Sequence, residues 1–89
     1  MNVEQSVQIR NKNGLHARPA AEMVKAAAKF KSDITISRED IEVNGKSIMG
    51  VMMLAAECGS TIMLRASGPD AQEAVSALAS LVAGRFGES

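Results

Sequence analysis

The chain has a single histidine, His16, within the run Gly14-Leu15-His16-Ala17-Arg18-Pro19-Ala20. This run joins a glycine turn to the start of a helical pattern, and that position is what makes the imidazole informative. The first N–H groups of a helix have no intrahelical partner, and together with the helix dipole they favour an anion. Pro19 supports this register, because in the first turn a proline sacrifices no hydrogen bond and its fixed φ suits the helix. Arg18 places a permanent cation, with donors arranged for phosphate oxygens, within reach of anything carried on the ring. A neutral imidazole has a lone pair that can attack phosphorus. On the bland alternative, His16 only caps the helix and Arg18 is a solvated surface charge. Metal binding or hydrolysis would need further ligands or a general base that the run does not offer. The chemistry it supports is transient covalent phosphorylation, with His16 and Arg18 as the working side chains and the helix start at Ala17 and Arg18 receiving the phosphate.

A second candidate is Ser47, which follows the turn dipeptide Asn44-Gly45 and stands where the N-cap of a short helix is expected. It either supplies only a capping hydrogen bond or is a site where added negative charge is tolerated by the helix terminus and acts as a switch. The helix after it holds Ile48, Met49, Val51, Met52, Met53 and Leu54, more apolar residues than one buried stripe requires. Some belong to a Met-filled core, and others are expected to be exposed for a partner. Lys25 and Lys29 are read as surface charges. Cys58 is alone and reads as a small buried apolar residue near a turn, with no thiol partner for a disulfide.

The elements that must carry these residues follow from periodicity. Val3, Gln5, Val7 and Ile9 alternate with polar neighbours as a strand. Asn11-Lys12-Asn13-Gly14 is a turn, and Ala20, Met23, Val24, Ala27 and Phe30 predict a helix from about Ala17 to Phe30. Ile34/Ile36 and Ile41/Val43 predict two strands joined across Arg38-Glu39-Asp40. After the short helix at Ser47, Thr61 to Ser67 alternates again, with Ile62, Leu64 and Ala66 on one side. Asp70 with Glu73 reads as a capping box for a last helix, whose inward face is Ala71, Ala74, Val75, Leu78, Leu81 and Val82 and which Gly84 closes. The order is βαββαβα, an α+β open-faced sandwich. Because every strand alternates, a four-stranded antiparallel sheet with all three helices on one face is expected.

Composition limits the remaining possibilities. Eighty-nine residues form one small domain, 1–89. Ten basic and ten acidic residues cancel, and with two Phe and no Trp or Tyr there is neither a global field nor a stacking platform for nucleic acid. No run approaches a membrane span or a signal peptide, so a cytoplasmic protein without membrane contact, cofactor or metal is expected, with monomer as the default state.

The His16 run, the segment Gly45-Lys46-Ser47-Ile48-Met49-Gly50-Val51-Met52 and the βαββαβα order together resemble the HPr family of phosphocarriers of the bacterial phosphotransferase system, over essentially the entire chain. The resemblance implies that His16 receives a phosphoryl group on Nδ1 from Enzyme I, which takes it from phosphoenolpyruvate, and passes it to a histidine of an Enzyme IIA domain. Arg18 would steady the phosphate. It further implies phosphorylation of Ser47 by HPr kinase/phosphorylase, and docking of both partners on Leu15, Ala20, Ile48, Met49 and Met52. Gly68-Pro69-Asp70 and the ending Gly84-Arg85-Phe86-Gly87-Glu88 are more similar to the nitrogen-related branch, NPr, so the pathway stays open between sugar transport and nitrogen regulation. Two rivals from other classes are a noncatalytic regulatory binding module, as in histidine-less relatives, and a small phosphohydrolase using His16 as nucleophile.

Overall fold

Residues 1–88 are described by a computed structural model. The elements are β1 (Asn2–Gln8), α1 (Ala17–Ala27), β2 (Asp33–Arg38), β3 (Ile41–Asn44), α2 (Ile48–Met53), β4 (Thr61–Ser67) and α3 (Ala71–Ala83), followed by a single 3-10 turn, Arg85–Gly87. The strands form one antiparallel sheet in the order β1-β4-β2-β3. Both central strands therefore come from different halves of the chain, and the sheet cannot form until β4 inserts between β1 and β2. The alternation read from the sequence sets the faces. Ile34, Ile36, Ile62, Leu64 and Ala66 are buried under the helices, with Met23, Val51, Leu54, Val75 and Leu78 packed on them. The opposite face is wet, and there Arg65 on β4 donates to Glu4 on β1 (2.7 Å) and to Glu42 on β3 (2.9 Å). Exposed pairs of this kind contribute little to stability, but they disfavour edge pairing with another sheet.

Three details differ from the sequence reading. The regular part of α1 stops at Ala27, three residues short of Phe30. Lys29 and Phe30 instead bond back to Ala26 and Ala27 (3.2 and 3.1 Å), a tightened last turn that still tucks Phe30 against the core. Asp70 precedes α3 as expected but caps nothing in its own helix. Its carboxylate reaches across to the loop before β2, accepting from the Ser32 hydroxyl (2.6 Å) and from the N–H groups of Lys31 and Ser32 (2.9 Å each). The capping box is thus replaced by a clasp between two distant loops. Finally, Gly84 ends α3 with φ −82°, and the left-handed positions are taken by Arg85 and Phe86 (φ 57° and 53°). Burial of Phe86 holds this unfavourable backbone, and the reversal brings Glu88 back over the start of α1.

The clasp carries a pH signature. The Ser32 hydroxyl and then the Lys31 amide pull the Asp70 carboxyl down to about 2, against the opposing effect of desolvation. A carboxyl depressed in the folded state stabilises above its unfolded value of about 4 and loses that contribution as pH falls through its folded value. Asp70→Asn is therefore expected to lower the melting temperature at pH 7, with the gap to wild type closing between about pH 4 and pH 2. A gap independent of pH would show that the clasp does not depend on the carboxylate charge.

Candidate functional site

The turn before α1 is built by hydrogen bonds that leave the histidine outside. Gly14 takes φ +67°, its N–H bonds to Asn11 O (3.1 Å), and the next N–H, of Leu15, bonds to Ala56 O (2.8 Å). Buried Asn11 secures the turn through its side-chain amide, which donates to Gly14 O at 2.7 Å. Leu15 is sunk into the core, and the chain then emerges at His16, the N-cap residue of α1 in extended conformation. The backbone carbonyl of His16 accepts from Ala20 (3.0 Å), so the helix starts there, but the imidazole makes no capping bond. The capping alternative is thereby excluded for the ring. The side chains of His16 and Arg18 are 41% and 51% exposed, beside the first-turn N–H groups of Ala17 and Arg18. Pro19 is buried in that first turn, at a position whose lack of an N–H costs nothing.

The sequence reading missed an acidic partner. Glu88, brought back by the left-handed turn, lies between the two side chains. His16 Nε2 is 3.1 Å from each of its carboxylate oxygens, Arg18 reaches Oε2 with Nε (2.9 Å) and Nη2 (2.7 Å), and Asn11 Nδ2 donates to Oε1 (3.0 Å). Arg18 Nη2 also donates to Phe86 O at 3.0 Å. The Glu88 side chain is 17% exposed. Desolvation pushes its carboxyl up, but the hydrogen bonds from His16, Arg18 and Asn11 outweigh this and hold it below the ordinary range. The corner is therefore not purely positive but is compensated by one carboxylate. No short-range pattern could reveal this pairing, because Glu88 is 72 residues from His16.

The other candidates divide by exposure. Leu15 and Ala20 are buried among core side chains and cannot belong to a docking surface, which corrects the expectation for both. Ile48, Met49 and Met52 are exposed on α2, as is Met53, and α2 packs beside α1. Val51 and Leu54 are the members of that set that fill the core. Ser47 caps α2 as read, its Oγ accepting from Gly50 N–H at 3.0 Å. Ser47→Ala is expected to cost about 1 kcal/mol, measurable by urea denaturation, and a loss below about 0.3 kcal/mol would show that the cap is replaced by solvent. Cys58 is exposed, with its thiol 3.7 Å from Arg10 O, so its expected burial is not found. Among the described residues no cluster of His, Cys, Asp and Glu has metal-binding geometry, and no helix is long and apolar enough to cross a membrane.

An open-faced βαββαβα sandwich that presents one exposed histidine, with an arginine two residues on, at the start of its first helix has the architecture of the histidine-containing phosphocarriers. The model of the family described as "PTS HPr component phosphorylation site" matches residues 3–84. The phosphocarrier protein HPr of Cupriavidus necator is 51% identical over 86 residues, 97% of each chain. The HPr-like protein Crh of Bacillus subtilis is 48% identical over 80 residues, 90% of this chain and 94% of its own. Among solved structures, HPr-C-His from Thermoanaerobacter tengcongensis superimposes with a TM-score of 0.94 at 46% identity, covering 98% of each chain. The chain belongs to the HPr family of phosphocarrier proteins of the phosphotransferase system.

Proposed function

We propose that His16 accepts a phosphoryl group on Nδ1 from Enzyme I, charged by phosphoenolpyruvate, and passes it to histidines of Enzyme IIA domains in the cytoplasm. The observation that carries this reading is the exposed imidazole of His16 beside the Arg18 guanidinium and the uncapped first turn of α1. Phosphoryl transfer has a loose transition state that needs alignment and charge neutralisation more than acid–base chemistry. The first-turn N–H groups and Arg18 supply donors for the phosphoryl oxygens, and the partner supplies the rest by docking over an open corner. Ile48, Met49 and Met52 form the apolar part of the docking surface, where flexible methionines suit more than one partner. Ser47 is the proposed target of HPr kinase/phosphorylase. A phosphate there sits at the edge of the same α2 surface and repels acidic partners, while the helix start tolerates it.

The deciding experiment incubates the protein with phosphoenolpyruvate, Mg²⁺ and a bacterial Enzyme I, and then adds an Enzyme IIA domain. One phosphoryl group per chain, acid-labile and alkali-stable, discharged on adding the acceptor, is the expected result. An acid-stable phosphate, or steady release of inorganic phosphate without an acceptor, would exclude the carrier reading in favour of a kinase substrate or a hydrolase.

A further inference from the structure

We infer that α2 is a site of reversible oxidation: hydrogen peroxide converts the exposed methionines Met49, Met52 and Met53 to sulfoxides, and this weakens docking without touching the chemistry at His16. The inference rests on the phosphocarrier reading and adds a second modification to the helix that begins at Ser47.

The six methionines of the chain fall into distinct settings. Met23 is fully buried in the core, and Met63 is half-buried on the wet face of the sheet, where its sulfur accepts from the Ser6 hydroxyl at 4.0 Å. Met1 is exposed at the N-terminus. The other three stand within one six-residue helix, with Met49 72%, Met53 68% and Met52 40% exposed. Val51 and Leu54 alone anchor this stretch in the core, so an added oxygen on the outward methionines opens no cavity and meets no packed neighbour. Fold and surface are thus separable here, whereas at Met23 the same oxygen would disrupt the core.

The reaction balances with peroxide as sole oxidant. A sulfur lone pair forms a bond to one peroxide oxygen, the O–O bond breaks, and its electron pair leaves with the second oxygen, which takes up the proton and departs as water. Sulfur loses two electrons and peroxide gains them. The thioether, a weak acceptor, becomes a strongly polar sulfoxide. Apart from Gly50, α2 consists only of apolar residues, so the helix gives the new oxygen no side-chain donor of its own. A partner that covers Ile48, Met49 and Met52 with apolar surface strips water from that oxygen without replacing its hydrogen bonds, and affinity falls. Reduction of the sulfoxide to the thioether, with a dithiol oxidised to a disulfide and water released, restores the surface.

The test uses the full chain carrying Cys58→Ser, because the exposed thiol of Cys58 also reacts with peroxide. This protein and the same chain with Met49→Leu, Met52→Leu and Met53→Leu are treated with hydrogen peroxide, freed of it, mapped by peptide mass spectrometry and melted. Each is then assayed with phosphoenolpyruvate and Enzyme I against its own untreated form. Sulfoxide is expected at Met49 and Met53 before Met52, with Met23 unmodified and the melting transition kept. The apparent KM for the treated carrier should rise about 10-fold with kcat within about twofold, the pattern of lost docking energy. A methionine sulfoxide reductase with dithiothreitol should reverse the rise, and the triple leucine variant should show none. Oxidation of Met23 ahead of α2, loss of the melting transition, a fall in kcat at constant KM, or an equal KM rise in the triple variant each overturns the inference. Normal kinetics before and after treatment, with sulfoxide present on α2, overturns it alone. Failure of the untreated protein to take up phosphate overturns the carrier reading and the inference with it.

Discussion

His16→Ala is expected to remove acid-labile phosphate uptake entirely while leaving the fold and melting temperature within about 1 °C of wild type. Loss of function without loss of stability follows from the geometry. The imidazole caps nothing, is 41% exposed, and has Glu88 as its hydrogen-bonding contact, so its removal leaves no buried cavity and no unsatisfied helix terminus beyond those already present. No second histidine exists to take its place, and neither Arg18 nor Ser47 can form the acid-labile, alkali-stable N–P bond. Arg18→Ala should behave differently. The nucleophile remains, so phosphate still arrives, but at a rate lower by on the order of 100-fold, since one set of preorganised donors to the phosphoryl oxygens is gone. Stopped transfer assays with labelled phosphoenolpyruvate, run beside thermal melts, check both variants. Residual acid-labile phosphate in His16→Ala would mean that the accepting group has been misassigned.

The periodic elements were legible in the sequence because each rests on a local physical cause. Ile62, Leu64 and Ala66 alternate because one face of β4 is covered, and the inward positions of α3 recur at helical spacing because one stripe meets the sheet. His16, Arg18 and Pro19 were legible for the same reason, since a helix start is a local event with a local chemical consequence. What the sequence could not show is whatever depends on contacts between distant segments. Asp70 has the spacing of a capping box with Glu73, yet its carboxylate finds better donors in Lys31 and Ser32, which tertiary structure brings to it. Glu88 follows a turn that needs left-handed Arg85 and Phe86, a conformation no propensity favours, so its arrival at His16 is visible only once the chain has folded. Leu15 and Ala20 illustrate the converse error, because adjacency in sequence to an exposed histidine says nothing about burial.

Gly14→Ala is expected to damage both the fold and the site, and it separates presentation of the histidine from its chemistry. Gly14 adopts φ +67°, and a Cβ there would lie 2.4 Å from Ala56 O and 2.9 Å from Glu57 Cα, both backbone atoms that cannot turn aside. The left-handed backbone and the overpacking together should cost about 3 kcal/mol, roughly 15 °C in melting temperature for a domain of this size. Gly59 provides the control. Its φ is +95° but nothing lies within 4 Å of an added Cβ, so Gly59→Ala should lose only about 1 kcal/mol. The clash at Gly14 falls on the strand of contacts that places His16, because relieving it must lengthen the bond from Leu15 N–H to Ala56 O or the bond from Asn11 to Gly14 O. Either response swings His16 away from Glu88. A displacement of about 1 Å in a reacting group can cost on the order of 100-fold in rate. Phosphate uptake by Gly14→Ala, measured well below its melting transition, should therefore fall at least 10-fold, while Gly59→Ala transfers at the wild-type rate. Wild-type transfer by folded Gly14→Ala would mean that the partner protein, rather than the turn through Gly14, sets the position of the imidazole in the reacting complex.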